Sequence, residues 1–151
     1  MSSPIITITD LAKTYYVKER AGFFKSRVRE IEALKDINLE IEPGELFGLL
    51  APKGAGKTTL IKCLTTLLTP SRVRLVVNGF QVGQQDAQVR ASLGCMLGGD
   101  RSLYWKLTGR ENLEYFAALY YLSPAQARAK IEELQRLLNL DSLLDRPIET
   151  Y

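Results

Sequence analysis

The sequence contains no histidine, and only two of its 151 residues are cysteine and one is tryptophan. The first absence removes any Ser-His or Cys-His nucleophile pair and any zinc site that needs imidazole. Cys63 and Cys95 lie in apolar segments without a metal-type spacing. They are expected as two reduced, mostly buried thiols. Long apolar runs are missing as well. Leu46–Pro52 and Tyr115–Leu122 are the longest, well short of the roughly 20 residues needed to cross a bilayer. The start, Met1-Ser2-Ser3-Pro4, has neither the basic flank nor the apolar centre of a secretory signal. Neither secretion nor membrane insertion is expected. Charge of one sign is also scarce: 20 basic against 17 acidic residues leave +3, too little to imply nucleic acid as a partner.

What is present is an ordinary globular composition, 46% apolar and 25% charged, on a length that suits one domain. Ile5–Thr9 alternates and is β-branched, and Ile37–Ile41 alternates cleanly, so both read as strands. Pro43-Gly44 marks a turn. Leu46–Leu50 is continuously apolar and is expected as a strand buried on both faces. Leu60, Ile61, Leu64, Leu67 and Leu68 fall at helical spacing across 58–68, which Thr69-Pro70 ends. Val73–Val77 reads as a strand closed by Asn78-Gly79, and Leu93–Leu97 as another short one. Gly98–Ser102 is loop-like.

From Thr108 onward the pattern is helical. Thr108 with Glu111, and Ser123 with Gln126 and Pro124, spell two capping boxes. Leu113, Phe116, Ala117 and Tyr120 make one apolar face, and Ile131, Leu134, Leu137 and Leu138 the next. The chain is strand-rich first and helical afterwards.

The most informative segment is Ala51-Pro52-Lys53-Gly54-Ala55-Gly56-Lys57-Thr58-Thr59. A buried strand, a tight glycine loop and a helix opening at Lys57 are the context of a phosphate-binding loop, G-x-x-x-x-G-K-[ST]. Small residues let successive amides converge on an anion, and the helix N-terminus adds partial positive charge there. Lys57 would reach the β- and γ-phosphates, and the Thr58 hydroxyl would hold Mg²⁺. Gly56, Lys57 and Thr58 match the pattern; its first glycine is replaced by Ala51, which resists conformations glycine adopts freely. The competing structural reading is a lysine-capped turn between strand and helix.

Here the chain resembles the nucleotide-binding domain of ATP-binding-cassette (ABC) transporters, along nearly its whole length. Leu11–Tyr15 is similar to the A-loop, whose aromatic residue stacks on adenine, a role the resemblance gives to Tyr15. Ala33–Leu39 followed by Pro43-Gly44-Glu45 resembles the family's lead-in to the phosphate loop. Leu107–Leu113 resembles the entry to the helical subdomain. Gly98–Phe116 and the long basic excursion before Ala33 look most like the subgroup serving exporters whose membrane subunits are separate chains.

The implied fold is α/β: a P-loop NTPase core with an antiparallel β subdomain and the start of an α-helical subdomain. Residues 1–107 would form the first half of the nucleotide-binding core, and 108–151 a partial helical subdomain. The implied ligands are ATP and Mg²⁺, held by Tyr15 and residues 51–59, with Thr58 on the metal. The implied partners are transmembrane permease subunits and a second nucleotide-binding domain. The implied place is the cytoplasm, on the inner face of the cell membrane.

The departures are specific. Gly-Pro-Asn or Gly-Pro-Ser is usual where this chain has Ala51-Pro52-Lys53, and the Q-loop glutamine expected near Gly98 or Gly99 is missing. No apolar run ends in Asp-Glu, no LSGGQ-like signature occurs, and no switch histidine exists. The chain therefore reads as the first half of a cassette domain, expected to bind MgATP weakly and not to hydrolyse it at a useful rate. Alternatives are a nucleotide-binding regulator or decoy, and a non-transport cassette protein acting on ribosomes or DNA.

Two further features have paired readings. The basic stretch Lys18–Arg29 reads as a solvated hairpin, or, around Phe23-Phe24-Lys25-Ser26-Arg27, as a segment lying against anionic headgroups. Tyr104-Trp105 reads as a buried plug, or as a groove edge receiving a helix of the membrane partner.

Overall fold

The computed structural model describes residues 3–20, 26–97 and 103–151. The expectations for Gly98–Ser102, the missing glutamine and Phe23–Lys25 fall outside them. Two compact units are present, residues 1–97 and 98–151.

In the first unit, β1 (Ile6–Arg20) and β2 (Ser26–Ile41) form a long antiparallel hairpin. β3 (Arg72–Val77) pairs with the other edge of β1, and β4 (Phe80–Gln81) with β3, in the order β2-β1-β3-β4. The β3–β4 turn is Asn78-Gly79 with φ of 49° and 81°, positive at both positions as tight hairpin turns require.

Simple alternation would bury Ile6 and Ile8 but turn Leu11 outward. A bulge prevents this. Asp10 takes φ 51°, its amide donating to Asn38 Oδ1 at 3.0 Å. Ile8 to Leu11 on β1 then matches Leu39 to Ile37 on β2. Leu11 consequently joins Ile8, Leu34, Leu75 and Val77 in the core. Helix α1 (Lys57–Leu64) contributes Leu60 and Cys63 to that core, and α2 (Asp86–Ala91) contributes Val89.

Several expectations are corrected. The helix expected over 58–68 ends at Leu64: Thr65 turns its hydroxyl back onto the Ile61 carbonyl at 2.9 Å, and Thr66 takes φ 60°. Leu46–Leu50 forms no strand, and Leu46 and Leu50 are 100% and 94% exposed. A strand apolar on both faces needs partners along its edges and layers over both faces. Among the described residues, every strand belongs to the antiparallel sheet. Leu93–Leu97 likewise forms no strand, which leaves Met96 and Cys95 exposed. Cys63 is buried as expected. Helix α2, only six residues long, was not anticipated.

In the second unit, α3 (Gly109–Leu119) and α4 (Pro124–Leu138) both start at the expected capping boxes. Thr108 accepts from the Glu111 amide at 3.1 Å while Glu111 Oε2 accepts from the Thr108 amide at 2.7 Å. Ser123 and Gln126 repeat the arrangement. The core is smaller than the sequence implied. Ala127, Ile131 and Leu144 are buried, whereas Tyr120, Leu137 and Leu138 are exposed.

Buried Asn112 replaces an apolar plug. Its Oδ1 accepts from the Tyr104 amide at 2.8 Å, and its Nδ2 donates to the carbonyls of Tyr104 and Thr108 at 3.0 and 2.9 Å. Tyr104 and Trp105 are about half exposed, which removes the buried-plug reading. Residues 143–151 fold across the start of α3: the Gly109 and Arg110 amides donate to the Arg146 and Leu144 carbonyls at 3.2 and 2.8 Å. Asp145 pairs with Arg110 at 2.7 Å. No helix among the described residues is long and apolar enough to cross a membrane.

Candidate functional site: a phosphate loop beside an aromatic strand

Lys57 opens α1, and Gly56 occupies its N-cap with φ 87° and ψ 3° and no side-chain cap. The first-turn amides of α1 are thus left for another acceptor, at the end of the helix where partial positive charge gathers. Gly54 also has φ 87°. The two left-handed positions of the loop are therefore its two glycines. Ala51 is not among the residues with positive φ, so replacing the pattern's first glycine carries no left-handed strain here.

Gly56 is required for a second reason. A Cβ there would meet the Ala33 carbonyl and, at 2.8 Å, Leu34 Cδ2. The loop is wedged against β2. Ala33 stands at an irregular step of the hairpin, where Lys13 pairs with Leu34 but Thr14 pairs with Glu32. That extra residue turns Ala33 toward the loop, as bulges beside sites do. Sequence reasoning singled out Ala33 only as part of the lead-in.

A recess of about 460 Å³ is lined by Ala33, Lys53, Gly54, Gly56, Lys57, Thr58 and Thr59. Two of these residues are cationic and none is a carboxylate, so the recess favours an anion. Lys57 Nζ donates to the carbonyls of Ala51 and, at 2.9 Å, Pro52. The ammonium is thus folded over its own loop. Ala55 closes the turn by donating to the Pro52 carbonyl at 3.3 Å.

Tyr15 stands at the side of this recess, its Oη 3.5 Å from Thr59 Oγ1. Lys13 Nζ lies 5.5 Å from the Tyr15 ring centroid and donates to the Thr69 carbonyl at 2.6 Å. Lys13 thereby ties β1 to the chain following α1 while contacting the ring. Of the residues expected to act together, Tyr15, Lys53, Gly54, Gly56, Lys57, Thr58 and Thr59 meet at one place. Ala51, Pro52 and Ala55 do not line the recess; the Ala51 and Pro52 carbonyls accept from Lys57, and Ala55 donates to the Pro52 carbonyl.

The metal expectation has a narrow basis. Thr58 offers one exposed hydroxyl, and the described residues contain no cluster of three or more acidic or cysteine side chains suited to a metal. Such a donor set fits Mg²⁺ carried in largely by phosphate oxygens and water.

Comparison with known proteins gives a consistent answer. The ABC transporter family model matches residues 34–151. The ATP-binding protein NatA of Bacillus subtilis is 34% identical over 144 residues, covering 95% of this chain and 55% of that protein. The daunorubicin resistance ATP-binding protein DrrA2 of Streptomyces coeruleorubidus is 37% identical over 132 residues, covering 87% of this chain and 41% of that one. The chain thus spans about half the length of the curated relatives it matches.

Among solved structures, an ATP-binding cassette captured as a dimer with ADP and phosphate superposes with a TM-score of 0.72 at 21% identity. It covers 97% of this chain and 62% of that one. An ATP-binding subunit of an ABC transporter gives a TM-score of 0.65 at 25% identity, covering 95% of this chain and 54% of that one. These likenesses support the mixed α/β P-loop fold. With the family model covering most of its length, the chain belongs to the ABC transporter family.

Proposed function

We propose that this chain supplies the ATP-binding portion of an exporter-type ABC transport ATPase. The observation that carries the reading is the single recess where Lys53, Lys57 and the start of α1 converge, with Tyr15 at its side. The polyphosphate would lie along the loop amides, with Lys57 transferring its ammonium from the loop carbonyls to the phosphates. Thr58 would contribute its hydroxyl to the accompanying Mg²⁺, and Tyr15 would stack on the base.

Binding is the part of the cycle that these residues serve. Nothing lining the recess is a carboxylate that could orient or deprotonate an attacking water. The chain is therefore proposed to hold nucleotide without turning it over at family rates. Partner permease subunits and a second nucleotide-binding domain would complete the transport unit, at the cytoplasmic face of the membrane, and the cargo would be chosen by the permease.

Titration with a fluorescent ATP analogue and Mg²⁺ tests this directly. Saturable binding is expected, reduced at least tenfold by Lys57→Ala. Absence of saturable binding, or binding indifferent to Lys57, overturns the reading.

A further inference from the structure

The two cations of the recess are in different states. Lys57 is half-buried, and its Nζ is committed to the Ala51 and Pro52 carbonyls. Lys53 is exposed, and among the described residues no hydrogen bond or ion pair holds its side chain. The loop does not need it for its shape. Ala55 and Pro52 close the turn, and Gly54 and Gly56 supply the left-handed positions. An unpaired ammonium at an anion-favouring recess is free to act on a ligand.

The lining also has a direction. Tyr15 stands at the Thr59 side, its Oη 3.5 Å from Thr59 Oγ1. Counted back along the chain, the lining passes through Thr58, Lys57, Gly56 and Gly54 to Lys53. A nucleotide with its base on Tyr15 presents its phosphates in order, the last one farthest from the ring. The first turn of α1 and Lys57 meet the phosphates nearer the base. Lys53, at the far end, meets the third. A lysine acts there as a point charge, so it responds to the phosphate that reaches it and to no other.

We propose that Lys53 is a specificity-determining residue, pairing with the third phosphate so that the recess selects nucleoside triphosphate over diphosphate. This role rests on the nucleotide site proposed for the loop. It adds a discrimination that Lys57 does not supply, because Lys57 is set to meet the β-phosphate that both ligands share.

Parallel titrations of the full chain with fluorescent ATP and ADP analogues, each with Mg²⁺, test it. The unmodified chain should bind the triphosphate at least about tenfold more tightly than the diphosphate. Lys53→Gln should weaken the triphosphate about tenfold and the diphosphate less than about twofold. Lys53→Arg keeps the charge and should keep most of the contrast, while Lys57→Ala should weaken both ligands. The urea unfolding midpoint should be the same with Lys and Gln at this position, which separates the effect from folding. A triphosphate-to-diphosphate ratio near one in the unmodified chain, or equal losses for both ligands in Lys53→Gln, or no loss, overturns the role of Lys53 and leaves the nucleotide site standing. No saturable binding of either ligand by the unmodified chain overturns both.

Discussion

The carbonyl oxygen of Ala33, on β2, stands where a side chain on Gly56 would begin. The hairpin and the phosphate loop therefore share a boundary that only glycine fits. Gly54 has the same left-handed φ of 87° but open space around it. Gly56→Ala should destabilise the chain by about 2–4 kcal/mol, combining backbone strain with a clash, and should abolish nucleotide binding. Gly54→Ala should cost only about 1–2 kcal/mol from the backbone term. Urea unfolding midpoints of the two variants measure the difference, and equal midpoints contradict the wedge.

Lys13 contacts the Tyr15 ring while anchored to the Thr69 carbonyl. Lys13→Met keeps the aliphatic stem and removes the cation. Affinity for ATP should fall severalfold, while affinity for inorganic triphosphate, which has no base to stack, should hold. Parallel titrations with both ligands check this; an equal fall in both would assign Lys13 to the phosphates instead.

Two carboxylates give the helical unit an acid-sensitive stability. The Thr108 amide and hydroxyl hold Glu111 below the usual carboxylate range, and hydrogen bonding to Arg110 does the same for Asp145. Folding thus favours their ionised forms. Their contribution is complete above the unfolded carboxylate values, near pH 4, and drains away as pH falls through the lowered folded ones. Unfolding midpoints should drop from pH 5 to pH 3. Asp145→Asn combined with Glu111→Gln should flatten part of that dependence.

The two thiols should be distinguishable. Cys95 is exposed, while Cys63 is buried and its pKa is raised by that burial, partly offset by nearby Lys13. A thiol reagent at pH 8 should modify one cysteine quickly and the other only on unfolding. Cys95→Ser should remove the fast phase alone.

The legible parts of this structure were those written within a few residues. Thr108–Glu111 and Ser123–Gln126 form the boxes their spacing predicts, because a capping box satisfies its own helix end. The loop–helix junction at Gly56-Lys57 is local in the same sense. Leu46–Leu50 failed as a strand because a ladder needs a neighbour, and apolar composition alone supplies none. The inward turn of Leu11 and the approach of Ala33 to the loop are illegible for a related reason. Their orientation follows from irregular pairing between β1 and β2, and no periodicity within one strand reports a bulge in its register. Asn112 is buried because its partners are main-chain groups eight and four residues upstream, which helical periodicity does not report.

Lys57 rests on the carbonyls of Ala51 and Pro52. A polyphosphate bound as proposed would meet an occupied cation and win it by exchange. The net attraction is the difference between two charged sets of contacts, smaller than either alone. The loop meanwhile keeps its curvature between ligands, with its own main chain standing in for the guest.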